Sequence, residues 1–219
     1  MTFRRARSDE QREERRRAIL ATTAAMLAEM PVADVSLNEI SRRVGLAKSN
    51  VLRYVESREA ALLDLLHAEL AEWLEIVRAS PPASGSVRER VDGAADLVAR
   101  TLAERPVLCD LLGAQAAVLE RNVSTDLAVR HKRESMAAAG ELAAVLRGHV
   151  PELSEDASVR AAGAAALCAG AAWTATQPSA AMCVAYDENP DLAAMRLDFG
   201  GAVRELVAVL ISGLLARES

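Results

Sequence analysis

Length, composition and cysteine usage narrow the classes of protein open to this chain. It has 219 residues, which is enough to bury a core in one or two domains. Ala and Leu dominate, Gly and Pro number 11 and 7, and strand-like alternation of Val, Ile and Thr is absent, so the composition predicts an all-α protein. The three cysteines show no CxxC spacing and no apolar signal region opens the chain, which favours a reducing, cytoplasmic setting.

The charge is distributed unevenly along the chain. The formal net charge is −5, yet residues 1 to 60 carry 12 Arg plus Lys against 9 Asp plus Glu, or +3, which leaves −8 for the remainder. A basic N-terminal part is where contact with a nucleic acid would be made, and the acidic remainder is unsuited to it.

Enzymatic chemistry and a membrane span are both disfavoured by the sequence. No His, Cys, Asp and Glu set has metal-ligand spacing, and no glycine-rich phosphate loop or serine elbow occurs, so we expect no enzyme activity, no metal and no cofactor. The longest uncharged run, residues 161 to 186, is rich in Ala, Gly, Ser and Thr and is broken by Pro178. This run predicts a buried helix followed by a loop rather than a span.

The first predicted helix follows a basic N-terminal arm. Arg4, Arg5 and Arg7 lie in a segment without apolar periodicity, which predicts an irregular arm that either enters a DNA minor groove or remains a solvated tail. The helix is expected from Ser8 to Met30, where Pro31 follows. Its apolar stripe comprises Ile19, Thr23, Met26, Leu27 and Met30.

A capped helix and a glycine turn follow. Ser36 has Glu39 three residues later, which predicts a capping box at a helix start. Leu37, Ile40 and Val44 recur at spacings of three and four and form one apolar stripe. Gly45 then favours a left-handed turn that ends the helix.

The next segment, Ala47 to Val55, predicts a second short helix with one buried and one donor-rich face. Val51 and Val55 point inward, whereas Lys48, Ser49, Asn50 and Arg53 point outward. This pattern is typical of a helix-turn-helix whose second helix lies in the DNA major groove, with Asn50 suited to adenine and Lys48 and Arg53 to guanine or phosphate. The alternative interpretation is a small helical hairpin that serves packing alone.

The same stretch resembles the DNA-binding segment of the TetR family of bacterial regulators. The resemblance is carried by Ser36, Gly45, Lys48, Ser49, Asn50, Tyr54, Ser57, Arg58 and Glu59, whereas Leu52 and Val55 stand where the family often has aromatic residues. It implies a DNA-binding domain over residues 1–60 and a ligand-binding and dimerisation domain over residues 61–219. The expected DNA contacts are Ser36, Arg42, Lys48, Ser49, Asn50, Arg53, Tyr54 and Arg58.

The implied function is a DNA-binding transcriptional regulator, most simply a repressor that binds a palindromic operator as a homodimer and responds to a small molecule. The alternative is a helical adaptor or enzyme subunit in which the helix-turn-helix is only structural. No membrane partner is expected.

The remainder of the chain predicts six further helices, for about nine in all. Ser57 caps a long helix to about Ala79, and the proline-rich linker SPPASGS follows it. Further helices are expected from Ser86, Pro106, Ser124, Ser154 and Leu192, ending near residues 104, 119, 147, 176 and 217 respectively.

The last two predicted helices suggest a dimer interface. Gly163, Ala166 and Gly170 give one helix a face of small side chains, and Val203, Leu206 and Leu210 belong to an apolar stripe on the other. Two such helices from each of two subunits would form a four-helix bundle. Both stripes could instead belong to the core of a single chain, and the resemblance favours the dimer.

Six residues are candidates for lining an effector pocket because they are polar, aromatic or soft within apolar helices. They are Trp73, Cys109, Gln115, His131, Trp173 and Gln177. The alternative interpretations place Trp73 and Cys109 in the core, Trp173 in the dimer interface and His131 in solvent, since Lys132 and Arg133 follow it. An aromatic content of 3% favours an aliphatic pocket.

Overall fold

The computed structural model describes the backbone of residues 2–218 and the side chains of residues 10–218. The fold is all-α, as predicted, and none of the described residues lies in a strand. The α-helices are α1 Thr2–Leu27, α2 Leu37–Val44, α3 Lys48–Val51, α4 Arg58–Ala79, α5 Val87–Ala103, α6 Pro106–Ala114, α7 Thr125–His149, α8 Glu155–Ala175, α9 Ala180–Glu188 and α10 Phe199–Glu218. Short 3₁₀ turns occur at Val32–Asp34 and Ala193–Met195, and a π-helical turn at Gln115–Leu119 follows α6.

The start of α1 differs from the expectation. The helix begins at Thr2 rather than Ser8, so the backbone of the predicted arm is helical, while Met1 lies outside the described residues. At the other end α1 stops at Leu27, three residues before the predicted Met30 and four before Pro31. Its predicted stripe is confirmed, because Ile19, Thr23, Met26 and Leu27 are all buried.

The helix-turn-helix forms through local signals. The Ser36 hydroxyl accepts the N–H of Glu39 at 3.1 Å, and Gly45 ends α2 at φ 72° in the left-handed region. The predicted capping box is wrong in one half, since the Glu39 carboxylate bonds Arg42 and Arg43 on the next turn instead of returning to the Ser36 backbone. α3 ends at Val51 and is shorter than predicted. The backbone N–H groups of residues 52 to 55 still donate to carbonyls three or four residues earlier, so the chain continues in helical turns.

Helix α4 joins the two parts of the chain. The Ser57 hydroxyl caps it by accepting the N–H of Ala60 at 3.0 Å, and its 22 residues extend about 33 Å at about 1.5 Å per residue. It packs against α1 on one side and against α5, α6 and α7 on the other. The predicted domain boundary at residues 60 and 61 falls inside its first turn and stays a prediction.

The C-terminal body is layered around α5 and α8. α5 packs against α10, α6 and α7 both pack against α8, and α8 in turn packs against α10. Ser86 and Glu89 form a capping box at the predicted start of α5, and Val91, Ala94, Ala95 and Val98 are buried, whereas Val87 is exposed.

Three elements of the body differ from those that the sequence predicted. The helix that begins at Pro106 widens into a π turn at Gln115, α7 continues through Gly148 to His149, and α9 occupies part of the segment predicted as a loop. α9 contains no buried residue, so it has no apolar stripe by which the sequence could have indicated it.

Helix α10 is long and apolar enough to cross a membrane by length and hydropathy alone, with a mean hydropathy of 1.7 over its best window. Length and hydropathy do not distinguish a span from a core helix. Val203, Val207, Ile211 and Leu214 are buried, and α10 packs on α5 and α8. One face of α10 therefore packs into the body, while Leu206 and Val209 on the rest of the helix are exposed.

Glycine at position 170 allows α8 to approach α6 closely. A Cβ at Gly170 would lie 2.9 Å from the backbone carbonyl of Leu112, which cannot move without shifting α6. Gly170 therefore belongs to a contact within the chain, which corrects its prediction as a dimer-interface residue. Gly140 on α7, by contrast, has open space around the corresponding position.

This difference predicts opposite effects of two alanine substitutions. Gly170→Ala should lower the free energy of unfolding by roughly 1–3 kcal/mol, because the new methyl group overpacks the α6–α8 contact. Gly140→Ala should raise it by roughly 0.5–1 kcal/mol through helix propensity. Urea denaturation of both variants measures the difference, and equal effects would show that the close approach is absent.

Candidate DNA interface and effector cavity

The exposed face of α3, together with Arg53 in the turn that follows it, carries the side chains predicted to read DNA. Lys48, Ser49, Asn50 and Arg53 are exposed, whereas Val51 and Val55 are buried beneath them. Within the described part of the chain, no hydrogen bond or ion pair occupies these four polar side chains. Their donors are therefore available to a ligand. Tyr54 is half-buried and packs against the core.

Two arginines of α1 extend this face, although neither was among the predicted DNA contacts. Arg12 and Arg15 line an open groove with Arg53 and Tyr54, and the Arg12 guanidinium donates to the carbonyl of Arg53 at 3.3 Å. Their sequence pattern showed only a charged, solvated helix face. Nothing local could have indicated that this face meets α3.

The other predicted DNA contacts have partners within the chain. Arg42 is exposed but pairs with Glu39 at 2.6 Å, and the bonds from Arg42 and then Arg43 lower the pKa of Glu39 to about 2. The Arg58 guanidinium donates to the carbonyls of Val32 and Val35, so it holds the turn before α2. Arg58 thus has a structural role, and we leave it out of the proposed DNA contacts. Ser36 is exposed, with its hydroxyl capping α2.

Polar contacts connect the helix-turn-helix to the body at two places. The Asp110 carboxylate on α6 accepts the backbone N–H of Val32 at 2.7 Å. Asp64 on α4 lies 2.6 Å from Arg16 of α1 and 3.1 Å from Arg130 of α7, and its side chain is only 12% exposed. Each contact spans at least 48 positions in the sequence, so no local pattern could reveal it.

A cavity of about 690 Å³ lies in the body between α4, the α6 and π segment, α7 and α8. Its wall is mainly apolar and includes Leu70, Leu74, Leu112, Ala138, Ala139, Leu142, Ala162, Ala166 and Leu167. Trp73 and Gln115, two of the predicted pocket residues, line it. Trp73 is also core, since it is buried and its indole N–H donates to Thr101 Oγ1 at 2.9 Å.

Four of the six predicted pocket residues do not line this cavity: His131 lies behind its wall, and three others lie elsewhere. Cys109 is fully buried beside the carbonyl of Leu102, and burial raises the pKa of its thiol to about 12. Trp173 packs edge-on against Phe199 with ring centroids 5.4 Å apart. Gln177 is exposed just after α8. All three are therefore removed from the candidate pocket.

One end of the cavity is polar and centres on Glu120. Its carboxylate accepts hydrogen bonds from Lys132 at 2.7 and 2.8 Å and from Gln115 at 2.9 Å, and it lies 3.1 Å from His131 Nε2. Although desolvation acts in the opposite direction, the bonds from Lys132, Gln115 and His131 lower the pKa of Glu120 to about 2. The carboxylate is therefore ionised at neutral pH and matched by one lysine.

His131, predicted as a pocket residue with solvent exposure as the alternative, lies behind this polar end and does not line the cavity. It is not solvated either, since it is 1% exposed, and its Nδ1 lies 3.0 Å from Nε2 of His67 on α4. His67 in turn contacts the Glu134 carboxylate, so both histidines have the carboxylate partners that the sequence did not reveal. The His131 ring is therefore held from both sides, with Nε2 against Glu120 and Nδ1 against His67.

Polar contacts link Glu120, His131, His67 and Glu134, and they connect the cavity to α4 through His67. Burial lowers the pKa of His67, although the Glu134 charge opposes the effect. His149, the third histidine, is buried elsewhere and lies against the Ser80 backbone. Among the described residues, no group of three His, Cys, Asp or Glu is arranged to hold a metal ion.

The predicted dimer residues divide between the inside and the outside of the body. Val203 is fully buried, while Gly163 and Ala166 line the cavity together with Gly170. Leu206 is exposed and Leu210 is half-buried. Four large apolar side chains of α8 and α10 are exposed instead: Val159, Leu167, Leu206 and Val209, at 45%, 74%, 46% and 60%. Leu167 also borders the cavity.

The architecture consists of a small helix-turn-helix part attached to a larger all-α body with a partly open cavity. A family model described as "Tetracyclin repressor-like, C-terminal domain" matches residues 67–218. The chain belongs to the TetR family of transcriptional regulators.

Individual relatives are more distant. The HTH-type transcriptional regulator EthR of Mycobacterium tuberculosis is 31% identical over 98 residues, which are 45% of this chain and 35% of that protein. A TetR regulator from Rhodococcus sp. RHA1 matches with a TM-score of 0.57 at 14% identity, covering 94% of this chain and 98% of that one. The fatty acid degradation regulator FadR of Bacillus halodurans has a TM-score of 0.55 at 15% identity, covering 91% and 96%. A FadR from Bacillus subtilis, solved with stearoyl-CoA, has a TM-score of 0.54 at 13% identity, covering 90% and 97%.

The low pKa of Glu120 predicts an acid-sensitive contribution to stability. Since the pKa falls from an ordinary 4.5 to about 2 on folding, the contribution is complete above about pH 4.5 and is lost as the pH falls toward 2. Glu120→Gln should therefore lose less unfolding free energy than the parent between pH 5 and pH 2. Denaturant titrations across this range measure the two slopes, and parallel curves would contradict the assignment.

Proposed function

We propose that this chain is a cytoplasmic transcriptional repressor that binds a palindromic DNA operator as a homodimer and is released by a small molecule in the cavity of its body. The observation that carries this proposal is the exposed face at α3, where Lys48, Ser49, Asn50 and Arg53 have no side-chain partner in the described structure. This face follows α2 after a left-handed turn at Gly45. The proposal includes no enzymatic activity and no cofactor.

The mode of DNA binding follows from the chemistry of the exposed face. Asn50 can donate to and accept from an adenine edge, and Lys48 and Arg53 can bond guanine or phosphate in the major groove. Arg12 and Arg15 flank α3 and suit the phosphates beside it. Repression rather than activation is the proposed outcome, and it requires an operator that overlaps the promoter.

Exposed apolar side chains on α8 and α10 support the proposed dimer. Val159, Leu167, Leu206 and Val209 are all exposed, and association of two copies through these helices would remove them from water. A two-fold arrangement would also place two α3 helices about 34 Å apart, one turn of B-DNA.

A route from the cavity to the DNA-binding part runs through α4 and α6. α6 contributes Leu112 and Gly113 to the cavity and Asp110 to the backbone of Val32, while the Glu120, His131 and His67 contacts reach α4. A ligand that fits only one position of these helices would shift the balance between two spacings of the DNA-binding parts.

The alternative function is a helical adaptor or enzyme subunit in which the helix-turn-helix only packs. Salt dependence of DNA binding distinguishes the two, because displacement of counterions from phosphates is a property of the DNA complex alone.

Single alanine substitutions on α3 should separate phosphate binding from base recognition. DNA selected from a random duplex library is titrated by fluorescence anisotropy at several salt concentrations. Lys48→Ala should weaken binding and lower the salt slope by about 1 if it binds phosphate. Asn50→Ala should cost roughly 1–3 kcal/mol on the selected sequence and leave the slope unchanged.

The matched control for this titration is Arg88→Ala, which removes a 92% exposed arginine from α5 in the body. It should bind like the parent. If Lys48→Ala and Asn50→Ala also bind like the parent, the recognition helix is misassigned, and a chain that selects no DNA supports the adaptor.

The proposed dimer is tested by placing a charge on its apolar face. Val209→Glu should yield a monomer in sedimentation velocity at micromolar concentration, because a buried unpaired carboxylate strongly opposes association. Met136→Glu, a control at a 75% exposed position on α7, should remain dimeric. A monomeric parent, or a dimeric Val209→Glu variant, would exclude this interface.

A further inference from the structure

The polar atoms of the cavity are concentrated at one end, and this asymmetry constrains what can bind. Glu120, Lys132, Gln115 and Ser135 line that end, and Thr174, the remaining polar side chain of the wall, already donates to the carbonyl of Gly170 at 3.0 Å. The rest of the wall consists of Leu, Ala, Gly and Trp73. Such a wall fits an elongated aliphatic body with its polar group at one terminus.

The two charges at the polar end neutralise each other. Both oxygens of the Glu120 carboxylate accept from the Lys132 ammonium, at 2.7 and 2.8 Å, and these two residues are the charged groups of the cavity wall among the described residues. An anionic ligand would need Lys132 to leave Glu120, and a cationic ligand would need Glu120 to leave Lys132. Either exchange breaks this ion pair and leaves one of its charges without a partner, and Glu120, with a side chain 24% exposed, is the less solvated of the two, since Lys132 is 58% exposed.

Hydrogen-bonding capacity remains at this end even though net charge does not. Within the described structure, the Gln115 Oε1 atom accepts no hydrogen bond, since its amide nitrogen makes the contact with Glu120, and the Ser135 hydroxyl has no partner. The first can accept from a ligand hydroxyl and the second can donate to a ligand carbonyl. These are contacts for a neutral group.

We propose that the cavity binds an uncharged, elongated aliphatic molecule that ends in a hydroxyl, carbonyl or ester group held by Gln115 and Ser135. This inference rests on the proposed function of the cavity as the effector site. Its volume of about 690 Å³ lies within the range of about 300–1,000 Å³ typical of small-molecule sites. The three phosphate groups of an acyl-CoA, by contrast, would meet a single lysine that is already paired.

The test uses three probes with the same ten-carbon chain: decan-1-ol, decanoate and decyltrimethylammonium. Binding to the full-length Trp173→Phe variant is followed by fluorescence of Trp73, which lines the cavity and is then the sole tryptophan. Decan-1-ol should bind about tenfold more tightly than either ion, or more, because it displaces neither member of the Glu120 and Lys132 pair.

Two substitutions should reverse the preference in opposite directions. Glu120→Gln leaves Lys132 without its anion, so decanoate should gain about tenfold relative to decan-1-ol. Lys132→Met leaves Glu120 without its cation, so decyltrimethylammonium should gain by a similar factor. Arg133→Met removes a neighbouring exposed cation that does not line the cavity, and it should leave the order of the probes unchanged.

The inference is overturned if either ion binds the parent as tightly as decan-1-ol, or if none of the probes changes the Trp73 signal. Equal preferences in the parent and both charge variants would also contradict it. DNA binding without any probe is measured separately, so loss of the ligand assignment leaves the proposed regulator standing, and a chain that binds no DNA fails that proposal alone.

Discussion

Helix α4 is the constraint on which the rest of the structure depends. It is one continuous helix whose buried side chains run from Ala60 to Val77, so its first turns pack with the DNA-binding part and its later turns belong to the body. Successive turns carry Asp64 and His67, which contact α1 and α7, and then Trp73, which lines the cavity. Any displacement of α4 is therefore shared by both parts of the chain.

The attachment of the helix-turn-helix to the body relies on a few directional polar contacts. The Val32 N–H is satisfied by Asp110, and leaving such a buried donor unpaired costs about 1–3 kcal/mol. Asp64 holds Arg16 and Arg130 together, and Arg58 fixes the turn before α2. Directional bonds define one position of the DNA-binding part, and a ligand that favours another position must supply the free energy of breaking them.

The Glu120 and Lys132 pair leaves the polar end of the cavity without net charge, and this pair is connected to the contacts that position α4. Glu120 is at once the partner of Lys132, the acceptor of His131 and part of the cavity wall, so a ligand that perturbed its charge would disturb the route to His67 and α4. An uncharged ligand can fill the apolar volume and act on the positions of α4 and α6 while this network stays intact.

The local signals of the sequence predicted most of the helices, because caps, Gly45 and Pro106 act over a few residues. Less of the candidate site could be predicted from the sequence. The exposed face of α3 follows from helical periodicity, whereas His131 meets His67 across 64 positions and Gly170 meets Leu112 across 58. Glu39 shows the same limit on a short scale, since its bonds to Arg42 and Arg43 displaced the expected capping box.

The most direct test of the central claim is methylation protection of guanine N7 on a DNA fragment selected by the chain. A homodimer that binds DNA through one α3 helix from each subunit predicts two symmetric protected patches in the major groove. Their centres should lie about one helical turn, or a whole-number multiple of it, apart. A single protected patch, or patches on opposite faces of the duplex, would contradict the account.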